Sequence, residues 1–271
     1  MIEQVRSLAK QRLSELDGVV ATRSMDQGAA PFLFTQADQI EHLVTEPRYP
    51  LSETVLKIQK RYDQANFGVV VRGCDLRALV EMTKRHQIDT ERLSIIAVTC
   101  TAEQAEACHC AQPYPDIEAW PEAEMVGEPV PAAAPNPLVA VYHDLPQEER
   151  WAFWKAQFAK CIKCYGCRDF CPVCFCEACA LEDPLWVEPG FLVPDFPMYH
   201  LIKAMHMSTR CVSCRQCETA CPAGIPLTVL YDLIHADVEE LIGYIPGADK
   251  DSGPPLTLTL ADAPIESDLA S

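Results

Sequence analysis

Two stretches of the chain repeat one cysteine spacing. Cys161, Cys164, Cys167 and Cys171-Pro172 are matched by Cys211, Cys214, Cys217 and Cys221-Pro222, so both runs read C-x₂-C-x₂-C-x₃-C-P. Seven cysteines fall between residues 161 and 179 alone, and the chain holds 15 in 271 residues. So many thiols at such close spacing need a partner that keeps them from oxidising one another. The opening segment "MIEQVRSLAKQRLSELDG" is charged throughout and lacks the apolar centre of a secretory signal. Ile2, Val5, Leu13 and Leu16 instead predict an amphipathic helix. No apolar run approaches the roughly 20 residues a membrane span needs. The expected compartment is therefore the cytoplasm, where disulfides are disfavoured and metal is the expected use of clustered thiols.

The spacing is that of ferredoxins binding four-iron, four-sulfur cubes. Two residues between ligands let a tight loop bring three thiolates to three corners of one cube. The fourth cysteine, before proline, belongs to the other cube where two are present. The expected assignment is crossed: Cys161, Cys164, Cys167 and Cys221 at one cluster, Cys211, Cys214, Cys217 and Cys171 at the other. Structural zinc favours four ligands in two separated C-x₂-C pairs, which explains neither the third cysteine nor the repeated Cys-Pro. Lys160, Lys163, Arg168 and Arg210 adjoin the ligands in sequence, where cations favour an anionic cube; the competing reading of each is a solvated surface charge.

Seven cysteines remain: Cys74, Cys100, Cys108, Cys110, Cys174, Cys176 and Cys179. Cys74 follows the strand-like "FGVVVRG" and opens a helix, where the helix N-terminus favours a thiolate. Cys100 ends the strand-like "RLSIIAVTC". Between them "DLRALVEMTKRHQ" (75–87) has helical recurrence, giving a βαβ unit with parallel strands. Both cysteines then emerge at the carboxyl edge, where α/β sheets place ligands. A third 4Fe-4S cluster is expected, with Cys74 and Cys100 completed from Cys108, Cys110, Cys174, Cys176 or Cys179. The competing reading is buried cysteine used as a small hydrophobe. His200 and His206 are candidates to tune or ligate a cluster, against the plainer role of packing on a helix.

The fold expected is an α/β N-terminal domain plus a mainly helical and irregular dicluster ferredoxin-like domain. Residues 1–112 form the α/β part, with "PFLFT" as a further strand, and 113–150 a Pro- and acid-rich linker. Residues 151–247 form the two-cluster unit and 248–271 an acidic irregular tail, in which "LTLTL" is a candidate for extended docking. "ERWAFWKAQFAK" predicts a helix with Trp151, Trp154 and Phe158 on a core-facing side. With 22 Lys+Arg against 39 Asp+Glu, net −17, the chain lacks the basic footprint of a nucleic-acid binder. It has neither a phosphate loop nor a G-x-G-x-x-G, so no local motif declares a nucleotide.

Three stretches, "VRGCDLRALVEM" with "LSIIAVTC", "KCIKCYGCRDFCPVCFC", and "FPMYHLIKAMHMSTRCVSCRQCETACPAGIPL" with "GYIPG", resemble the beta-subunit family of deazaflavin-dependent hydrogenases and dehydrogenases, including formate-dehydrogenase-type relatives. The resemblance implies an iron–sulfur subunit of a soluble multi-subunit oxidoreductase, whose partners are a flavoprotein, hydrogenase, formate dehydrogenase or heterodisulfide-reductase-like component. It places ligand roles on the eight motif cysteines and on Cys74 and Cys100. Some relatives bind FAD and reduce a deazaflavin. The alternative reading is thus a flavin-binding catalytic subunit transferring hydride, and a third is a structural or regulatory redox-sensing module. The first expectation is an electron-transfer subunit with two or three 4Fe-4S clusters.

Overall fold

The computed structural model describes residues 1–118, 120–185 and 198–255. Its N-terminal part is an α/β sheet built on "FGVVV" and "LSIIAV". Near-continuous β-branched runs suit strands buried on both faces. They form β4 (Phe67–Val71) and β5 (Leu93–Val98), which pair in parallel, Val71 opposite Ala97. The sheet is completed by β1 (Gly18–Met25), β2 (Gly28–Phe34), β3 (Leu43–Val44) and β6 (Glu124–Val126). Strand order is β2-β1-β4-β5-β6, with β3 also pairing β1; β2 and β3 run antiparallel to β1, and the β1–β4, β4–β5 and β5–β6 pairs are parallel.

Alternation along these strands divides the core into two layers. Val20, Val69, Val71, Ile95 and Ala97 pack toward α2 (Ser52–Arg61) and α3 (Gly73–Lys84). Val19, Ala21, Val70, Ile96 and Val98 pack toward α1 (Ile2–Leu13), through Val5 and Ala9. The expected opening helix, the βαβ unit and the "PFLF" strand are all present.

The stretch expected as a linker carries regular structure. β6 adds to the sheet beyond β5, after the short helix α4 (Ala102–Ala107), and α5 (Pro137–Asp144) packs against the C-terminal part. Proline did not prevent α5, because Pro137 sits in its first turn and the Asn136 side chain accepts a hydrogen bond from Leu138 N.

The C-terminal part is helical and irregular, comprising α6 (Gln147–Phe158), α7 (Gly166–Asp169), α8 (Met198–Met207), α9 (Gln216–Thr219) and α10 (Leu227–Ile242). Trp154 and Phe158 enter its core with Tyr199, Leu227 and Val229. Trp151 departs from the expected face and is 41% exposed. The two parts meet across α3: Arg85 Nη2 donates to Thr209 O (2.7 Å), and Ser52 Oγ on α2 donates to Pro172 O (3.1 Å). "LTLTL" (256–260), the rest of the expected tail beyond 255, and Phe196 and Pro197 of the third resemblance stretch lie outside the described residues. No helix among the described residues is long and apolar enough to cross a membrane.

Candidate metal centres

The repeated sequence makes a repeated backbone. Lys163 and Tyr165 adopt left-handed conformations (φ 52° and 59°), as do their counterparts Ser213 and Arg215 (φ 52° and 61°). Non-glycine residues seldom sit there, and two at the same offsets in each run define one loop used twice. Each loop enters a single helical turn, α7 or α9. The geometry aims backbone N–H groups at sulfur: Lys163 N donates to Cys161 Sγ (3.4 Å), and Ser213 N makes the equivalent bond to Cys211.

Each gathering takes three cysteines from one run and the fourth from the other. Cys171 from the first run lines one cavity with Cys211, Cys214 and Cys217 from the second. Conversely, Cys221 lies within electrostatic reach of both Cys161 and Cys167, and Cys164 lies beside Cys161. We call these the inner set (Cys171, Cys211, Cys214, Cys217) and the outer set (Cys161, Cys164, Cys167, Cys221). Gly166 holds the runs close, since a Cβ there would stand 3.1 Å from Ala220 O.

Burial dominates the titration of these thiols. It raises Cys161 and Cys167, pushes Cys211 up to about 12, and lifts Cys214 and Cys217 well above the ordinary thiol range. Adjacent sulfurs add to each rise. Cys171 moves downward, because the Cys174 thiol donates a hydrogen bond to it. Most of the donors are thus neutral without a cation. A bound metal centre would supply the positive charge that favours their thiolates.

The seven other cysteines divide into two groups. Cys74 follows β4, Cys100 follows β5, and the parallel pairing brings both to the carboxyl edge of the sheet. Cys110 lies within electrostatic reach of both, and Cys108 within reach of Arg48, which contacts Cys74. The "ACHC" loop (107–110) is held there by Cys110 N donating to Ala105 O (2.9 Å) and Ala133 N donating to Cys110 O (2.9 Å). Gly73 permits a close approach, since a Cβ would stand 2.5 Å from Tyr114 O. Cys174, Cys176 and Cys179 line a cavity with Arg168, Lys203 and Arg210 that none of these four lines.

At Cys74 burial raises the thiol, and the nearby Arg48 and Arg77 charges oppose that rise. Burial likewise pushes Cys100 up to about 11. Among the described residues, no three His, Cys, Asp or Glu side chains are grouped as a site for a single metal ion.

Two cations, the buried Lys203 and the half-buried Arg48, escaped the sequence reading. Lys203 on α8 is 1% exposed, and its Nζ lies 3.2 Å from Cys174 Sγ while facing the inner cavity. Arg48, between β3 and α2, donates from Nη1 to Cys74 Sγ (3.1 Å) and from Nη2 to Cys214 O. Gln216, with its amide oxygen turned toward Arg48, accepts further bonds at 2.6 and 2.8 Å. Neither cation adjoins a cysteine motif in sequence, so no local signal marked them. The adjacent cations are more peripheral: Lys160 bonds Gln157, Arg168 pairs with Asp169 and Glu182, and Arg210 Nη1 lies 3.8 Å from Cys176 Sγ. His200 is buried and stacks on Phe158 (centroids 4.7 Å), which is a packing role. His206 lines the cavity of Cys176 beside Arg210.

No family model matches the chain. Over 103 residues, 38% of its length, the chain is 45% identical to the F420-dependent formate dehydrogenase subunit beta of Methanocaldococcus jannaschii. It is also 45% identical over 103 residues to the F420-dependent formate dehydrogenase 1 subunit beta of Methanococcus maripaludis. The matched stretch spans 27% and 26% of those relatives. The resemblance to formate-dehydrogenase-type beta subunits drawn from the sequence therefore stands over that span.

Proposed function

We propose that this chain is an iron–sulfur electron-transfer subunit of a multi-subunit oxidoreductase of the formate dehydrogenase type. In this reading the C-terminal part is a ferredoxin-like dicluster unit. The observation that carries it is the convergence of Cys171 with Cys211, Cys214 and Cys217 on one cavity, mirrored by Cys221 beside Cys161 and Cys167.

The donor set fits the group. Four sulfurs per site, backbone N–H groups directed at sulfur, and a buried cation facing the inner cavity suit an anionic cube. Bound 4Fe-4S clusters would supply centres that accept and release one electron each. The chain's own contribution is placement and environment. The left-handed loops hold three sulfurs of each run, and the Cys-Pro residues cross over to lock the two runs together. Trp154, Phe158, Tyr199 and Leu227 exclude water from the space around them. Tyr199 Oη lies 3.4 Å from Cys167 Sγ, where a hydroxyl donor favours a charged sulfur.

A third cluster at Cys74, Cys100, Cys108 and Cys110 belongs to the same reading. These four share the ligand edge of the sheet, and Arg48 joins them to the inner set through Cys214. The proposed partner is another subunit of such a complex, since the relatives are each named as subunit beta of a formate dehydrogenase.

The test is anaerobic reconstitution with iron and sulfide, dithionite reduction and low-temperature electron paramagnetic resonance. Paired spectra broadened by mutual coupling are expected. A silent spectrum after full reduction would overturn the reading.

A further inference from the structure

Fully buried lysines are rare unless their charge is answered. Lys203 lies inside the C-terminal core at 1% exposure, and the groups that answer it are sulfurs. Its Nζ contacts Cys174 Sγ at 3.2 Å, it lines the inner cavity with Cys171, Cys211, Cys214 and Cys217, and Cys167 of the outer set lies within its electrostatic reach. One cation therefore stands between two sets of four donors. Arg48 differs in its contacts: it bonds Cys74 Sγ and Cys214 O, the latter in the inner set.

We infer that Lys203 is the shared counter-charge of the inner and outer cysteine sets, and that Lys203 and Arg48 together make the inner set the more easily reduced of the two. The inference rests on the cluster reading above and concerns this chain's residues, both of which act as positioning and tuning groups. A cube gains negative charge on reduction, so an unscreened cation nearby stabilises the reduced form and raises the potential. Burial acts the other way, because a dry site disfavours added charge. Burial alone does not order the two sets: Cys161 and Cys167 of the outer set are buried and its Cys164 exposed, while in the inner set Cys217 is buried and the others are half-buried. The order is set instead by Lys203, which is 1% exposed, and by the half-buried Arg48, which bonds Cys214 O.

The experiment is an anaerobic redox titration followed by electron paramagnetic resonance on the reconstituted full chain, with iron content measured on each sample. Lys203→Met is expected to lower the midpoints of both dicluster centres. Arg48→Gln is expected to lower only one of these two, and it must be the one with the higher wild-type midpoint. Lys203→Arg keeps the charge and is expected to keep both midpoints. Should Lys203→Met fail to retain iron, Lys203→Gln is read in its place. Retained iron with unmoved midpoints in either uncharged variant would overturn the inference. So would an Arg48→Gln shift confined to the lower-potential centre. Loss of iron in both uncharged variants, with iron retained in Lys203→Arg, would assign Lys203 to assembly and likewise overturn a tuning role. A wild-type chain that takes up no iron at all would instead defeat the cluster reading itself.

Discussion

Glu81 on α3 accepts a hydrogen bond from Tyr244 Oη at 2.6 Å and another from Gly247 N at 2.8 Å, across more than 160 positions of sequence. The carboxylate is fully buried and also pairs with Lys84 (2.8 Å) and Arg85 (3.2 Å). This clamp ties the "RGCDLRALVEM" helix to "GYIPG", two stretches that carried the family resemblance separately. Gly247 is required at its end, because its φ of +75° is left-handed and a Cβ would meet Arg77 Cβ at 2.6 Å.

Replacing Glu81 by Ala leaves Lys84 and Arg85 as buried cations without their carboxylate. Removing one partner of a buried ion pair costs about 3–5 kcal/mol. A loss of that size is expected in chemical denaturation of the metal-loaded chain. A loss below about 1 kcal/mol would place the two parts in looser contact than the clamp requires.

The crossed assignment makes a prediction about pairs of substitutions. Cys161→Ser with Cys221→Ser should remove one cluster, about four irons, because both residues serve the outer set. Cys161→Ser with Cys171→Ser should remove about eight, because each set loses a donor. Iron analysis of the two double variants decides it, and the reverse pattern would mean each run binds its own cube.

The third site separates the leftover cysteines. Cys74→Ser and Cys110→Ser should each lower iron from about twelve to about eight per chain. Cys176→Ser and Cys179→Ser should leave it unchanged, since those thiols line a different cavity. Iron counts that fall with Cys176 but not with Cys74 would refute this division.

His200 gives the fold a pH dependence. Burial, with the Lys203 charge adding to it, lowers this imidazole from 6.5 to about 4. The unfolded chain therefore takes up a proton below about pH 6.5 that the folded chain refuses until about pH 4. Stability contributed by the neutral ring is present above the unfolded value and is lost as pH falls through the folded one. Comparing wild type with His200→Phe, the acid-dependent loss between pH 6.5 and 4 should shrink by roughly 1–3 kcal/mol in the variant. Parallel pH profiles would contradict the assignment.

Much of this was legible in the sequence where local chemistry suffices. The "FGVVV" and "LSIIAV" runs declare buried strands, and the repeated C-x₂-C-x₂-C-x₃-C-P implies a repeated loop whose crossed partners the structure brings together. β6 was not legible: three residues, Glu124–Val126, in an acidic Pro-rich stretch carry too little pattern, and only pairing with β5 makes them a strand. α5 was hidden by its prolines. Lys203 and Arg48 were invisible for a different reason. Their importance lies in which sulfurs surround them, and that follows from tertiary placement.

The central claim is that tandem cysteine sets on this chain hold 4Fe-4S cubes. It is tested most directly by iron and acid-labile sulfide quantitation, with zinc measured in parallel, on protein purified without air. The account expects equal iron and sulfide, at about eight per chain for the two crossed sets and about twelve if the sheet-edge set is filled. Colourless protein containing zinc and no labile sulfide would contradict it.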